Sequence, residues 1–446
     1  MRTSYDSKKL RFGGIVMGVM LKRLYIHNFK SFWESEFKFG KVNCLIAPNN
    51  AGKSNLVEAL IFLDNLIYKN PQQAINRVGL KKIKNYHYNE DEIRLEAVFD
   101  IKNRVLVFDE LFDYDIECIY TFLFDVKKKN FNVNVSILGK IKNINIEKVN
   151  KNNMLIERVT DSLDKIIANY SQCCKDLETK DYKEFEFMYS QNSLSYEIKT
   201  EQDSTKEMIV NLFNLEIDEN KSILKKPLDF DSIFYHFFLF SSHYFHPHTI
   251  KRTQSITPFK GYIYLLEDGT NIQDYLKRID KELFEDISTS LIGEVELIKA
   301  IEIRDNFTPD LIFKEELNGE VFDIGIGDVS DGTIHFIAIM SAILGNKNSI
   351  GLIIEEPERH MHMKVLSYIL DTMRDDNKQI FFTTHSTEML NYLELNEVVF
   401  LFRDFDGNTK GERATDIPHI KDFMKRYNND LVELIQTGVV GEYEEY

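Results

Sequence analysis

The sequence predicts an α/β protein, a mixed sheet core joined to an antiparallel β subdomain and a helical insertion. Three observations carry that reading. Apolar runs that read as buried strands alternate with helical patterns over residues 331–402, the mark of a largely parallel sheet. Segments between residues 92 and 149 alternate apolar and polar positions, as antiparallel strands with one wet face do. From about 149 to 225 the chain turns rich in Lys, Glu, Asp and Asn with helical spacing.

The elements follow in order. "RLYIHNF" (23–29) alternates like a strand, and "KVNCLIA" (41–47) is a buried one. "NLVEALIFLDNLIY" sets Leu56, Leu60, Leu63 and Ile67 on one helical face. "EIRLEAVFDI" (92–101) alternates Ile93, Leu95, Ala97, Phe99 and Ile101 with Arg94, Glu96 and Asp100, so it is a half-buried antiparallel strand. "CIYTFLF", "NVNVSIL" and "NINIEKV" read as short strands between Lys/Asn-rich turns. "LIERVTDSLDKIIANY" and "STKEMIVNLFNL" carry the helical spacing of the insertion, without sustained heptads. The aromatic run "FYHFFLFSSHYF" (234–245) is too short to cross a bilayer as a helix and reads as buried strand. Beyond 294, "EVELIKAIEI", "DLIFKEEL" and "VFDIGI" are strands, the last two joined through the turn "NGE". A helix is expected in "DGTIHFIAIMSAIL", and strands in "GLIIEE" (351–356), "QIFFTTH" (379–385) and "EVVFLF" (397–402). The expected organisation is an extension over 1–20, the first part of a head domain over 21–148, the insertion over 149–225, and the second part of the head over 226–446.

Composition narrows the function. A chain of 446 residues has room for two or more lobes, and a formal net charge of −16 argues against a chain-wide nucleic-acid surface, leaving only a local basic groove such as "VKKKN" (126–130). Cys44, Cys118, Cys173 and Cys174 have neither zinc-type spacing nor a disulfide framework, which fits a reducing cytoplasm. "GGIVMGVML" follows Lys8, Lys9 and Arg11 but lacks an A-x-A exit and runs straight into Lys22 and Arg23. It reads against a secretory signal, and a true start at Met17 or Met20 accounts for it equally well.

Four motifs carry chemistry. Residues 47–54, "APNNAGKS", fit the phosphate loop, with Ala47 in place of the commoner first glycine. Asn49, Asn50, Ala51, Gly52 and Asn55 are expected to line the cradle, Lys53 to reach the β/γ oxygens and Ser54 to ligate Mg²⁺. "GLIIEEPERHMH" ends a strand in two acids, of which Glu355 would support the metal and Glu356 would act as general base. "FFTTHST" puts His385 at another strand end, as a contact to the γ-phosphate or as a structural residue. "VSDGTIHFIAI" opens a helix with Ser330, Asp331 and Gly332, an anion-binding helix start or simply a cap.

The order "LYIHNFKSF", "APNNAGKSN", "SDGT", "IIEEPERHMH", "TTHS" resembles the P-loop ATPase heads of ABC type in the SMC-like group. It looks most like the bacterial ATPases related to the overcoming-lysogenisation-defect (OLD) proteins, over residues 21–115 and about 226–405, with "LLEDGTNIQDYL" (265–276) also similar. The resemblance implies a dimer that sandwiches nucleotide. ATP held by Lys53 and Ser54 of one head would be closed over by Ser330 and Gly332 of another. It also implies that Glu356 polarises water, that His385 is the switch histidine, and that Glu355 stands where aspartate is more frequent. Glu358 and His362 are placed near the dimer seam by the same likeness.

OLD nucleases carry a Toprim domain after the head, and the sequence runs only to Tyr446. The expectation is therefore an ATPase subunit of an anti-phage defence complex, a homo-dimer or larger ring controlling a separately encoded effector, plausibly a nuclease, in response to a phage trigger protein. PARIS-type and Septu-type ATPases are the analogies. Asp404 and Asp406 of "RDFDGNT" mimic a metal-binding pair, but "DG" marks a hairpin turn, and "HYFHPH" reads as aromatic packing before a zinc patch. Two other readings stay open. One is a DNA-repair or recombination head. The other uses ATP as a structural ligand that fixes oligomer geometry.

Overall fold

The computed structural model describes residues 13–48, 50–68, 71–107, 110–144, 183–190, 195–200, 217–218, 223–224, 238–252, 264–295, 297–305, 309–345, 349–418, 420 and 422. The chain divides into two compact units, Met1–Glu36 with Asn65–Phe237, and Phe37–Asp64 with Phe238–Tyr446. Its first half runs β1 (Gly13–His27), β2 (Ser35–Lys38), β3 (Val42–Ile46), α1 (Lys53–Tyr68), α2 (Pro71–Val78), β4 (Glu92–Val107), β5 (Glu110–Asp125), β6 (Asn130–Ile144), β7 (Lys183–Ser190), β8 (Ser195–Lys199), β9 (Ile217–Asp218) and β10 (Ile223–Leu224). The second half continues β11 (Phe238–His243), α3 (Pro247–Arg252), α4 (Ile272–Arg278), α5 (Lys281–Glu294), β12 (Ile298–Asp305), β13 (Pro309–Leu317), β14 (Glu320–Gly325) and α6 (Asp331–Gly345). It ends in β15 (Ser349–Glu355), α7 (Met363–Asp375), β16 (Gln379–Thr383), α8 (Thr387–Leu390), β17 (Val398–Arg403) and β18 (Thr409–Arg413).

The first unit is built on a nine-stranded sheet in the order β2-β1-β4-β5-β6-β7-β8-β10-β9 among the described residues, with β2 where the chain leaves the unit. The alternation in β4 does what its pattern predicts: Ile93, Leu95, Ala97, Phe99 and Ile101 are buried. β5 and β6 extend to 16 and 15 residues, longer than the short strands expected. The Asn-rich positions do not break β6, because they occupy one face while Val133, Val135 and Ile137 fill the other, buried one. "VKKKN" is the tight β5–β6 turn, with Lys128 paired to Asp125 at 3.0 Å.

Of the expected helical insertion, "LIERVTDSLDKIIANY" and "STKEMIVNLFNL" lie outside the described residues. The described stretches within 149–225 are strands: β7 adds to β6 and β8 to β7. Phe185, Phe187 and Tyr189 alternate in "KEFEFMYS", a period-2 signal that the surrounding charged sequence masks.

The second unit has the α/β architecture that the sequence predicts. Among the described residues its mixed sheet has six strands in the order β11-β15-β16-β3-β17-β18, parallel from β11 to β17 and flanked by the antiparallel β18. β3 and β16 are buried throughout and β15 except at its end, as strands covered on both faces should be. α6 is buried at every position from Thr333 to Ile343, which makes it a central helix with no polar stripe. β12, β13 and β14 form an antiparallel meander. The "LLEDGTNIQDYL" segment turns at Gly269 (φ 71°) and serves this meander, since Gln273 Oε1 accepts from the Leu311 N–H at 2.9 Å.

Candidate functional site

In a parallel sheet the loops that leave the carboxyl ends of neighbouring strands share one edge. Here β3, β15 and β16 bring "APNNAGKS", Glu355–Glu356 and Thr384–His385 to that edge.

The loop after β3 reverses through left-handed backbone at Asn50 (φ 66°) and Gly52 (φ 100°). Asparagine and glycine tolerate that conformation better than other residues. Two of its carbonyls are tied away: Asn50 O accepts from Arg403 Nε and Nη2 at 3.1 and 2.8 Å, and Ala51 O accepts from Thr409 Oγ1 at 2.9 Å. The helical ladder of α1 opens with Leu56 N donating to Gly52 O at 3.0 Å. Lys53 and the exposed Ser54 therefore occupy the positive end of the helix, beside the half-buried Asn55. Asn49 lies outside the described residues.

Lys53 reaches from its loop to the end of β16. Its Nζ donates to Thr384 O at 3.0 Å and lies 2.7 Å from His385 Nε2. An ammonium has no lone pair, so Nε2 is the acceptor and the imidazole proton sits on Nδ1. Partial burial holds the Lys53 pKa below its ordinary value, opposed by the fields of Cys44, Glu356, Glu358 and Glu355.

The two acids differ. Glu355 ends β15 and has its pKa raised, first by desolvation and then by the charge of Glu356, with His246 and Lys53 acting in the opposite direction. Glu356 has left the strand: its φ is 47°, and its N–H donates to Thr383 O at 3.1 Å and Thr383 Oγ1 at 3.2 Å. Its carboxylate lies 3.9 Å from Arg359. Glu358 Oε1 accepts from Thr384 Oγ1 at 2.7 Å and from the His385 N–H at 3.1 Å, so this acid is tied to the end of β16 in its own chain. His362 caps α7.

At the start of α6, Ser330 acts as the cap: its Oγ accepts from the Thr333 N–H at 3.1 Å and pairs with Thr333 Oγ1 at 2.7 Å. Asp331 binds Lys251 at 2.6 Å and faces His248 at 3.5 Å, and the Lys251 bond pulls its pKa down. Gly332 lies against the carbonyl of His360, which an added Cβ would meet at 2.6 Å.

The acids of "RDFDGNT" and the first histidine of "HYFHPH" make local contacts. Asp404 Oδ1 accepts from the N–H groups of Asp406 and Asn408 at 3.1 and 2.7 Å, which is a hairpin turn. His243 is buried, stacks on Phe245 and lies 2.6 Å from Ser241 Oγ. Sequence reading missed Arg403 and Thr409 as the braces of the phosphate loop. "RDFDGNT" announces a turn, but no local signal ties it to a loop some 350 residues earlier.

The residues fit a nucleotide with Mg²⁺. Left-handed residues open the loop at a helix start, and a lysine is poised beside it. Ser54 and Glu355 offer a hydroxyl and a carboxylate, a small set of the kind that Mg²⁺ completes with water and phosphate oxygens. Among the described residues, no helix is long and apolar enough to cross a membrane.

Burial holds His243 and His335 neutral, pushing both down to about 4 from 6.5. The unfolded chain takes up these protons first, so stability should be complete above pH 6.5 and fall as pH drops towards 4, by up to about 3 kcal/mol for each histidine. The raised pKa of Glu355 works with the opposite sign, losing stability as pH rises through its folded value. Urea midpoints between pH 7 and 4.5 check this, and a flat profile refutes it.

The solved structures that the chain matches include SMC heads. The SMC head domain from Thermotoga maritima is 12% identical, with 88% of this chain and 98% of that one covered and a TM-score of 0.37. An SmcHead bound to the C-winged helix domain of ScpA gives 13%, 88%, 97% and 0.39. The Smc head domain with an extended coiled coil, bound to the C-terminal domain of ScpA and derived from Pyrococcus furiosus, gives 12%, 92%, 99% and 0.40. No curated protein matches the sequence. The family model described as "AAA domain, putative AbiEii toxin, Type IV TA system" matches residues 42–391, from the strand before the phosphate loop to just past His385, and the chain belongs to that family.

Proposed function

We propose that the chain is an ATP-hydrolysing subunit that closes on a second copy of itself around bound nucleotide and controls a separately encoded effector, as scaffold and sensor of a bacterial anti-phage defence complex. The observation that carries the ATPase reading is the reach of Lys53 Nζ to Thr384 O and His385 Nε2, which joins the phosphate loop to the end of the switch strand. The defence reading rests on the order of the motifs and on a family description that names a two-part system.

The nucleotide, when bound, supplies the phosphoanhydride to be cleaved. The work of the chain is then divided. Asn50, Ala51, Gly52 and Asn55 shape the cradle with Asn49, and Lys53 leaves its carbonyl partner to neutralise phosphate charge. Ser54 and Glu355 hold Mg²⁺. Glu356 takes a proton from water, and His385, with its proton on Nδ1, reports on the phosphate through the Lys53 bond. Ser330 and Gly332, with Asp331 held by Lys251, present the start of α6 to the partner copy.

Light-scattering mass in Mg-ATP and in ADP tests the reading, with the product of the neighbouring reading frame co-expressed. The expected result is a doubled or larger mass in ATP, its reversal in ADP, and co-purification of the neighbour. Equal mass in both nucleotides, with no ATP turnover, refutes it.

A further inference from the structure

α6 carries one imidazole within its buried stretch from Thr333 to Ile343. His335 is 1% exposed. Its Nδ1 donates to the carbonyl of Arg359, and its Nε2 is buried with no hydrogen-bond partner. A leucine or phenylalanine would fill this volume without stranding a ring nitrogen, so what the histidine adds here is the bond to Arg359.

That bond pins one end of a short turn whose other end is also fixed. Glu356 is held by Thr383, Arg359 N donates to Glu356 O at 3.1 Å, and Met361 N donates to Glu358 O at 3.1 Å. The turn contains two residues in left-handed backbone, Glu356 (φ 47°) and His360 (φ 64°), neither of them glycine. Such a conformation persists only where the surroundings enforce it. A second contact enforces it from the same helix, because Gly332 admits the His360 carbonyl at a distance that no side chain would permit.

We propose that His335 is a positioning residue for Glu356, latching the turn that carries the acid to the helix that opens with Ser330, Asp331 and Gly332. The proposal rests on the ATPase reading above. Its consequence is that whatever engages the start of α6, three to five residues before the latch, is felt by the acid of the same chain.

The test compares His335→Phe, which keeps the ring volume and removes the donor, with His335→Asn, whose amide nitrogen stands near the place of Nδ1. The Phe variant should lose about tenfold or more in kcat. Its KM for ATP should stay within about twofold, because the cradle is untouched. Amide hydrogen exchange over 357–361 should quicken while α6 stays protected, and the Asn variant should recover both readouts. Where the Phe variant fails to fold, Gly332→Ala, at a half-buried position, should quicken the same exchange by displacing the His360 carbonyl. Unchanged kcat and unchanged exchange over 357–361 overturn the latch. A parent chain without turnover defeats the ATPase reading instead, and the exchange measurement still decides the latch.

Discussion

Glu356→Gln should bind ATP as the parent does and turn it over about 10²- to 10⁴-fold more slowly, the range expected when a general base loses its basicity. The geometry isolates the effect. The backbone of Glu356 is fixed through its N–H to Thr383, and its carboxylate makes only a long 3.9 Å approach to Arg359. An amide of the same shape therefore keeps the turn and removes only the proton acceptor. If hydrolysis is what releases the paired state, this variant should stay paired in ATP. Light scattering in Mg-ATP over time checks it. A variant that pairs and separates like the parent would identify ATP as a structural ligand, and one that hydrolyses like the parent would remove Glu356 from the chemistry.

Lys53→Ala should lower ATP turnover by about 10²- to 10³-fold, with loss of nucleotide affinity as well. The lysine supplies the cation that the loop directs at the strand ends, where it bonds to Thr384 O and His385 Nε2. Its removal also separates the phosphate loop from His385. Binding of a fluorescent ATP analogue and steady-state phosphate release measure the two losses. If the variant pairs and turns over ATP like the parent, the functional reading falls.

Much of this was legible in the sequence because each motif is local. A buried strand, a loop with Gly52 and Lys53, and a helix are consecutive, and so are β15 with its two acids and β16 with His385. What stayed hidden is long-range or masked by composition. Glu358 is placed near a dimer seam by the family likeness, and only the fold shows that it accepts bonds from Thr384 and His385 of its own chain. His335 reads as one of a few polar residues in a mostly apolar helix, and only the fold shows that Arg359 lies across from it. β7 is an alternating octet inside a charged region, too short to outweigh its surroundings in a window average.

The two hydrogen bonds that Arg403 donates to Asn50 O have a practical corollary for anyone dissecting the chain. A fragment trimmed to the recognisable span, 42–391, would retain the phosphate loop, the start of α6, the two acids and His385 and still lack β17, the strand that flanks β3 on the side away from β16. It would forfeit Arg403 and Thr409 together, leaving two carbonyls of the loop untethered and one side of the central strand bare. The shortest stretch that looks like an ATPase is thus shorter than the shortest stretch that can keep its own phosphate loop in shape.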